Sequence, residues 1–92
     1  MSPEPFQLAI TATARRQLAE QLPESVAFAA LEFINGPLLV NPHRVGKQLM
    51  PPFDDRHSAR RGTYRVLYRI DDSSRTVTVL AVAPRSDAYR TH

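Results

Sequence analysis

Apolar positions along the chain repeat every three to four residues in its first half and every second residue in its last third. Phe6, Leu8 and Ile10 alternate with Gln7 and Ala9, which predicts a short strand with one buried face. Thr11 and Thr13 offer N-cap hydroxyls, and Ala14, Leu18 and Leu22 recur four apart. That spacing is one helical stripe, with Arg15, Arg16 and Glu20 left for solvent. Pro23 ends this helix and suits the first turn of the next, where its missing amide is not needed. Val26, Ala30, Phe33 and Ile34 mark a second stripe, so the two helices read as an antiparallel hairpin. Gly36-Pro37 stops or kinks the second one.

Between Asn41 and Asp55 the periodicity disappears among three prolines and one glycine, and the segment reads as a loop. From His57 onward the period is two. His57 to Arg60 is a weak strand turned at Arg61-Gly62. Tyr64, Val66, Tyr68 and Ile70 then share one face of a stronger strand, while Arg65, Leu67 and Arg69 share the other. Asp71 to Ser74 is a polar turn, and Thr76 to Ala83 is a β-branched, nearly all-apolar run suited to the middle of a sheet. Pro84 ends it, and Arg85 to Arg90 is a short helical or irregular tail. The expected architecture is α+β, one domain over residues 1–92. A small antiparallel sheet, a three-stranded meander plus the N-terminal strand, carries the α-hairpin on one face. Because the helices need the apolar face, Arg65 and Arg69 point to the uncovered one.

Composition narrows the chemistry. The absence of cysteine excludes disulfides, thiolate metal sites and a cysteine nucleophile. His43, His57 and His92 lie far apart without ligand spacing, so a structural metal is not expected. The start of the chain lacks a basic stretch followed by an apolar one, and the run from Val77 to Ala83 is too short to span a bilayer; a cytoplasmic protein without a membrane role is expected. Net charge is +3, and eleven of the twelve basic residues are arginine. Arg56, Arg60, Arg61, Arg65 and Arg69 fall within fourteen residues that contain no acid. Arginine matches phosphate oxygens two at a time and stacks on bases, so such a cluster points to nucleic acid. A solvated basic face, a surface for an acidic partner, or an Arg65–Asp87 ion pair are the plainer readings.

Three blocks carry a family resemblance. They are Leu38-Leu39-x-Asn41-Pro42-His43-Arg44-Val45-Gly46-Lys47-x-Leu49, then His57 through Asp72, then Arg85 through Arg90. Together they resemble the RelE-type toxins of bacterial type II toxin–antitoxin pairs, over nearly the whole chain. The resemblance implies an RelE-like fold and cleavage of messenger RNA in the ribosomal A site, without a cofactor. The substrate's own 2′-hydroxyl would attack the neighbouring phosphate and leave a 2′,3′-cyclic end. By the same resemblance, Arg65 binds the scissile phosphate, and Arg85 serves transition-state charge or the leaving group. Tyr89 stacks on a base or orients the 2′-hydroxyl. The family's basic pair on the strand before the turn reads here as Arg56 and Ser58, so one lysine counterpart is missing. An arginine is a poor proton acceptor, which leaves the general base open. His57 is the nearby group that titrates near neutrality, although alternation sets it off the Arg56/Ser58 face. Arg44, Lys47, Arg56, Arg60, Arg61, Arg69 and Arg90 are candidate RNA contacts. A cognate antitoxin and the ribosome, with its mRNA and rRNA, are the implied partners, and a hetero-oligomer with the antitoxin is expected. Two alternatives stay open: a gyrase inhibitor of the related ParE branch, and a catalytically inactive RNA- or antitoxin-binding module.

Overall fold

The apolar run near the end of the chain forms the strand on which the whole sheet is built. In the computed structural model, which describes residues 4–84, the strands are β1 (Gln7–Ile10), β2 (Lys47–Gln48), β3 (His57–Arg61), β4 (Tyr64–Asp71) and β5 (Thr76–Pro84). Their spatial order is β1-β5-β4-β3-β2. β5 pairs parallel with β1 and antiparallel with β4, and the chain then steps outward through β3 to β2. Val77, Val79 and Val82 are fully buried, as a strand flanked on both edges requires.

Two expectations are corrected. The sheet has five strands and is mixed: the N-terminal strand runs parallel to its neighbour, which is possible because the two helices carry the chain across between them. The segment from Asn41 to Asp55 is not wholly loop either. Lys47 and Gln48 pair with Ser58 and His57, a two-residue strand too short to leave a periodic signal.

The first helix starts at Thr11, whose side chain accepts from the Ala14 amide at 3.2 Å. α1 (Ala12–Arg16) widens into a π-helical turn at Gln17–Gln21, and α2 (Glu24–Asn35) follows Pro23. A single further turn, α3 (Pro37–Val40), begins with Pro37 in the first turn after Gly36. Ala14, Ala30, Ile34 and Leu38 pack fully buried against Tyr68, Val66 and the β5 valines. The aromatic rings end in polar contacts: the Tyr64 hydroxyl donates to Ala29 O at 3.2 Å, and the Tyr68 hydroxyl to Pro42 O at 2.6 Å.

One irregularity decides which side chains reach the open face. Leu67 pairs with Ala81 but Tyr68 with Val79, so Leu80 is an extra residue in β5, a β-bulge. Before it the odd-numbered residues of β5 face the core; after it Val82 does, and Ala81 and Ala83 turn to the other side. The first helix holds the bulge in place. Thr11 Oγ1 donates to Leu80 O at 3.0 Å, Thr11 N to Val79 O at 3.0 Å, and Val82 N donates to Gln17 Oε1 at 2.7 Å.

Candidate nucleic-acid interface

β3 and β4 place Arg60 and Arg65 directly opposite each other. Like charges so paired repel, and a bound anion relieves them. The Gly46–Lys47 corner brings two more cations to the same spot. Arg44, Lys47, Arg60 and Arg65, with Ser58 and the apolar Leu49 and Met50, line a cleft of about 560 Å³ that no acidic side chain borders among the described residues. The Nε of Arg65 is buried there and finds no hydrogen-bond partner among the described residues. A buried donor of that kind is costly unless something else accepts its proton.

The loop that carries Arg44 and Lys47 is fixed from below. Tyr68 is fully buried, and burial pushes its phenol up to about 12, so it remains a donor to Pro42 across the physiological range. Gly46 sits where any Cβ would collide with the Tyr68 hydroxyl and lie 2.8 Å from Ser58 O. Only glycine lets the loop lie this close to β3.

The other predicted residues separate by face. Arg69 shares the open face with Arg65 but is exposed, 3.9 Å from Asp55. Arg56 lies 3.7 Å from the same carboxylate and 5.2 Å from the centre of the Phe53 ring, outside the cleft lining. Arg61 is placed away from the cleft. It pairs with Tyr64, on the core side, with its guanidinium 4.6 Å over Phe33 and 3.4 Å from Val45 O. His57 is likewise on the far side. β3 contains no bulge, so His57 pairs with Tyr68 and stacks on it at 5.5 Å, with the edge of His43 at 5.8 Å. Burial, and then neighbouring His43, lower its pKa. His43 itself is held to Asp72 at 2.9 Å. Arg85, Tyr89, Arg90 and Asp87 lie outside the described residues.

The sequence reading did not single out Ser58, Leu49 or Met50 as cleft residues. Ser58 appeared only as a departure from a basic pair, and Leu49 and Met50 sit in a stretch without period. No group of three or more His, Asp or Glu side chains is placed to hold a metal ion among the described residues. Nor, among those residues, is any helix long and apolar enough to cross a membrane.

Comparison with known proteins agrees with this architecture. The family model of the ParE toxin of type II toxin–antitoxin systems matches residues 8–89. The chain is 54% identical to Toxin RelE of Mycobacterium tuberculosis over 86 residues, covering 94% of this chain and 88% of that one. It is 49% identical to Toxin RelG of the same organism, covering 94% and 98%. Among solved structures it resembles a chain of the M. tuberculosis RelBE2 toxin–antitoxin complex, with a TM-score of 0.85 and 48% identity over 89% of this chain and all of the other. With the fold, the basic cleft and these relatives in agreement, the chain belongs to the RelE/ParE family of type II toxin–antitoxin toxins.

Proposed function

We propose that this toxin is a ribosome-dependent endoribonuclease that cleaves messenger RNA in the A site and so inhibits translation in the cytoplasm. The observation that carries the reading is Arg65: a partly buried guanidinium whose Nε has no partner among the described residues, set opposite Arg60 in a cleft whose charged walls, among those residues, are all cationic. A phosphodiester supplies the acceptors this arrangement lacks.

In the reaction, the 2′-oxygen loses its proton and bonds to the adjacent phosphorus, and the bond from phosphorus to the 5′-oxygen breaks. The leaving oxygen takes up a proton, and a 2′,3′-cyclic phosphate remains. Arg65 binds the scissile phosphate and meets the charge that grows on its oxygens, with Arg60, Arg44 and Lys47 holding the flanking backbone. Guanidinium groups clamp charge and do not accept protons at neutral pH, so the cleft contributes positioning and electrostatics. Arg85 and Tyr89 complete the site in this proposal. β5 ends at Pro84, one residue beyond Ala83, the partner of Arg65. His57, on the other face, is not assigned as the base.

The RelB-bound relative supports a cognate antitoxin as partner, since its complex is a toxin–antitoxin assembly. Here an acidic antitoxin segment would neutralise the cationic cleft in a hetero-oligomer. Cleavage that persists undiminished in the purified complex would count against this.

The deciding experiment maps message 5′ ends in a purified translation reaction with wild type and Arg65→Ala side by side. Cuts at A-site codons that vanish in Arg65→Ala support the proposal. Intact message with wild type overturns it, and DNA damage signalling on expression would move the ParE-like gyrase reading forward.

A further inference from the structure

A second depression, of about 200 Å³, lies on the open sheet face beside the cationic cleft and shares Leu49, Ser58 and Arg65 with it. Its other walls are Leu67, Ala81 and Ala83, all apolar. The register explains its shape. Arg65 pairs with Ala83 and Leu67 with Ala81, so two methyl-sized side chains stand next to the phosphate-binding arginine. The bulge at Leu80 puts them there; with unbroken alternation Ala81 and Ala83 would point into the core. Small side chains on one strand and a leucine wall on the other leave an open, flat-floored recess. Its apolar floor meets a polar rim at the Ser58 hydroxyl and the Arg65 guanidinium.

We infer that this recess holds a nucleobase of the strand whose phosphate meets Arg65. The inference rests on the RNA reading of the cationic cleft. A base has an apolar face that stacks on hydrocarbon and a polar edge that accepts or donates hydrogen bonds, the combination the recess offers. The continuous lining from Lys47 through Arg65 to Ala81 lets one nucleotide place its phosphate on the cations and its base on the alanines. The recess is thereby a specificity element: its size selects which bases fit beside the phosphate on Arg65.

The test uses fluorescence anisotropy at low salt, with a labelled single-stranded six-nucleotide RNA and a strand of the same length and charge lacking bases. Wild type is expected to bind the RNA about five- to a hundredfold more tightly than the abasic strand. Ala81→Leu fills the recess without altering any cation. It should keep the abasic affinity, which also reports that the variant is folded, and lose the preference for RNA. In wild type, the Ala81 and Ala83 methyl resonances should move with RNA and stay in place with the abasic strand, a readout that needs no variant. Equal wild-type affinity for the two strands, or a preference that survives Ala81→Leu, overturns the inference while leaving the cationic cleft as a backbone-binding site. Binding of neither strand removes the cleft as an RNA site and the recess with it, independently of the cleavage assay.

Discussion

The Tyr68 hydroxyl donates a 2.6 Å hydrogen bond to the carbonyl oxygen of Pro42, joining the centre of the sheet to the loop that carries Arg44 and Lys47. Tyr68→Phe removes the donor and leaves a buried carbonyl unpaired, a cost of about 1–3 kcal/mol. Denaturant unfolding should show a lower midpoint at unchanged slope. Burial raises the phenol to about 12 from an ordinary 10.0. Its stabilising contribution is therefore complete below pH 10 and lost as pH rises towards 12, an alkaline decline that should be smaller in the phenylalanine variant, where the Tyr64 phenol, also raised by burial, still contributes. An unchanged midpoint would show that the bond contributes nothing net.

Gly46→Ala should be worse than its size suggests. The added methyl meets the Tyr68 hydroxyl and lies 2.8 Å from the backbone oxygen of Ser58, and backbone cannot swing aside. A destabilisation of about 1–3 kcal/mol is expected, together with weaker RNA binding because Arg44 and Lys47 move with the loop. Tm and anisotropy measured on the same sample check both, and a fully stable variant with wild-type affinity would contradict the close approach.

Arg65→Ala should lower A-site cleavage by about a hundred- to a thousandfold, the usual cost of one preorganised charge contact. Arg65→Lys restores the charge but not the planar fork and should recover only part of the rate. Arg61→Ala separates the two faces. It loses the Phe33 stacking contact, worth about 0.5–1 kcal/mol of stability, and should leave cleavage close to wild type. Single-turnover rates for the three variants test the assignment, which fails if Arg61→Ala is as damaging as Arg65→Ala.

Binding to single-stranded RNA should weaken steeply with salt. Four cleft cations each meeting one phosphate give a slope of log K against log salt of about −3, from roughly −0.7 per contact. Arg60→Ala should make the slope shallower by about 0.7. A slope unmoved by that change would place the backbone elsewhere.

His57 predicts the acid side. Burial, followed by nearby His43, lowers its pKa below the ordinary 6.5, so the folded state resists taking a proton that the unfolded chain accepts. Stability is then greatest above pH 6.5 and falls as pH drops below it, until the folded state also protonates. His57→Gln should flatten this decline when unfolding midpoints at pH 7 and pH 5 are compared. Asp71 acts separately: hydrogen bonds from Ser73 and Ser74 lower its pKa below 3.8, so its effect belongs to more acidic solutions.

Much of the fold was readable because it depends on local period. The Tyr64–Val66–Tyr68 face, the two helical stripes and the opposite orientation of Arg65 all follow from alternation, and all hold. The features that escaped are non-local. Nothing in Lys47-Gln48 announces a strand, because its pairing is made by Ser58 and His57, further along the chain. The bulge at Leu80 is dictated by Thr11 and Gln17, which take over backbone bonds from the other end of the chain. For the same reason the apolar recess could not be read from Ala81 and Ala83, which plain alternation assigns to the core. Alternation already set His57 off the Arg56/Ser58 face, and the bulge-free pairing of β3 keeps it there; Arg61 counts with the basic cluster in sequence, and its pairing with Tyr64 puts it on the core side.

The parallel pairing of β1 with β5 also has a consequence for biosynthesis. Gln7 to Ile10 leave the exit tunnel well before their partner strand, Thr76 to Val79, is made. The sheet cannot close by stepwise folding from the N-terminus, because β5, which joins β1 to β4, does not yet exist when the helices emerge. A polypeptide cut short before Thr76 lacks the strand that β1 and β4 both need, together with the alanines beside Arg65. A message broken before the Thr76 codon therefore directs synthesis of fragments without an assembled cleft.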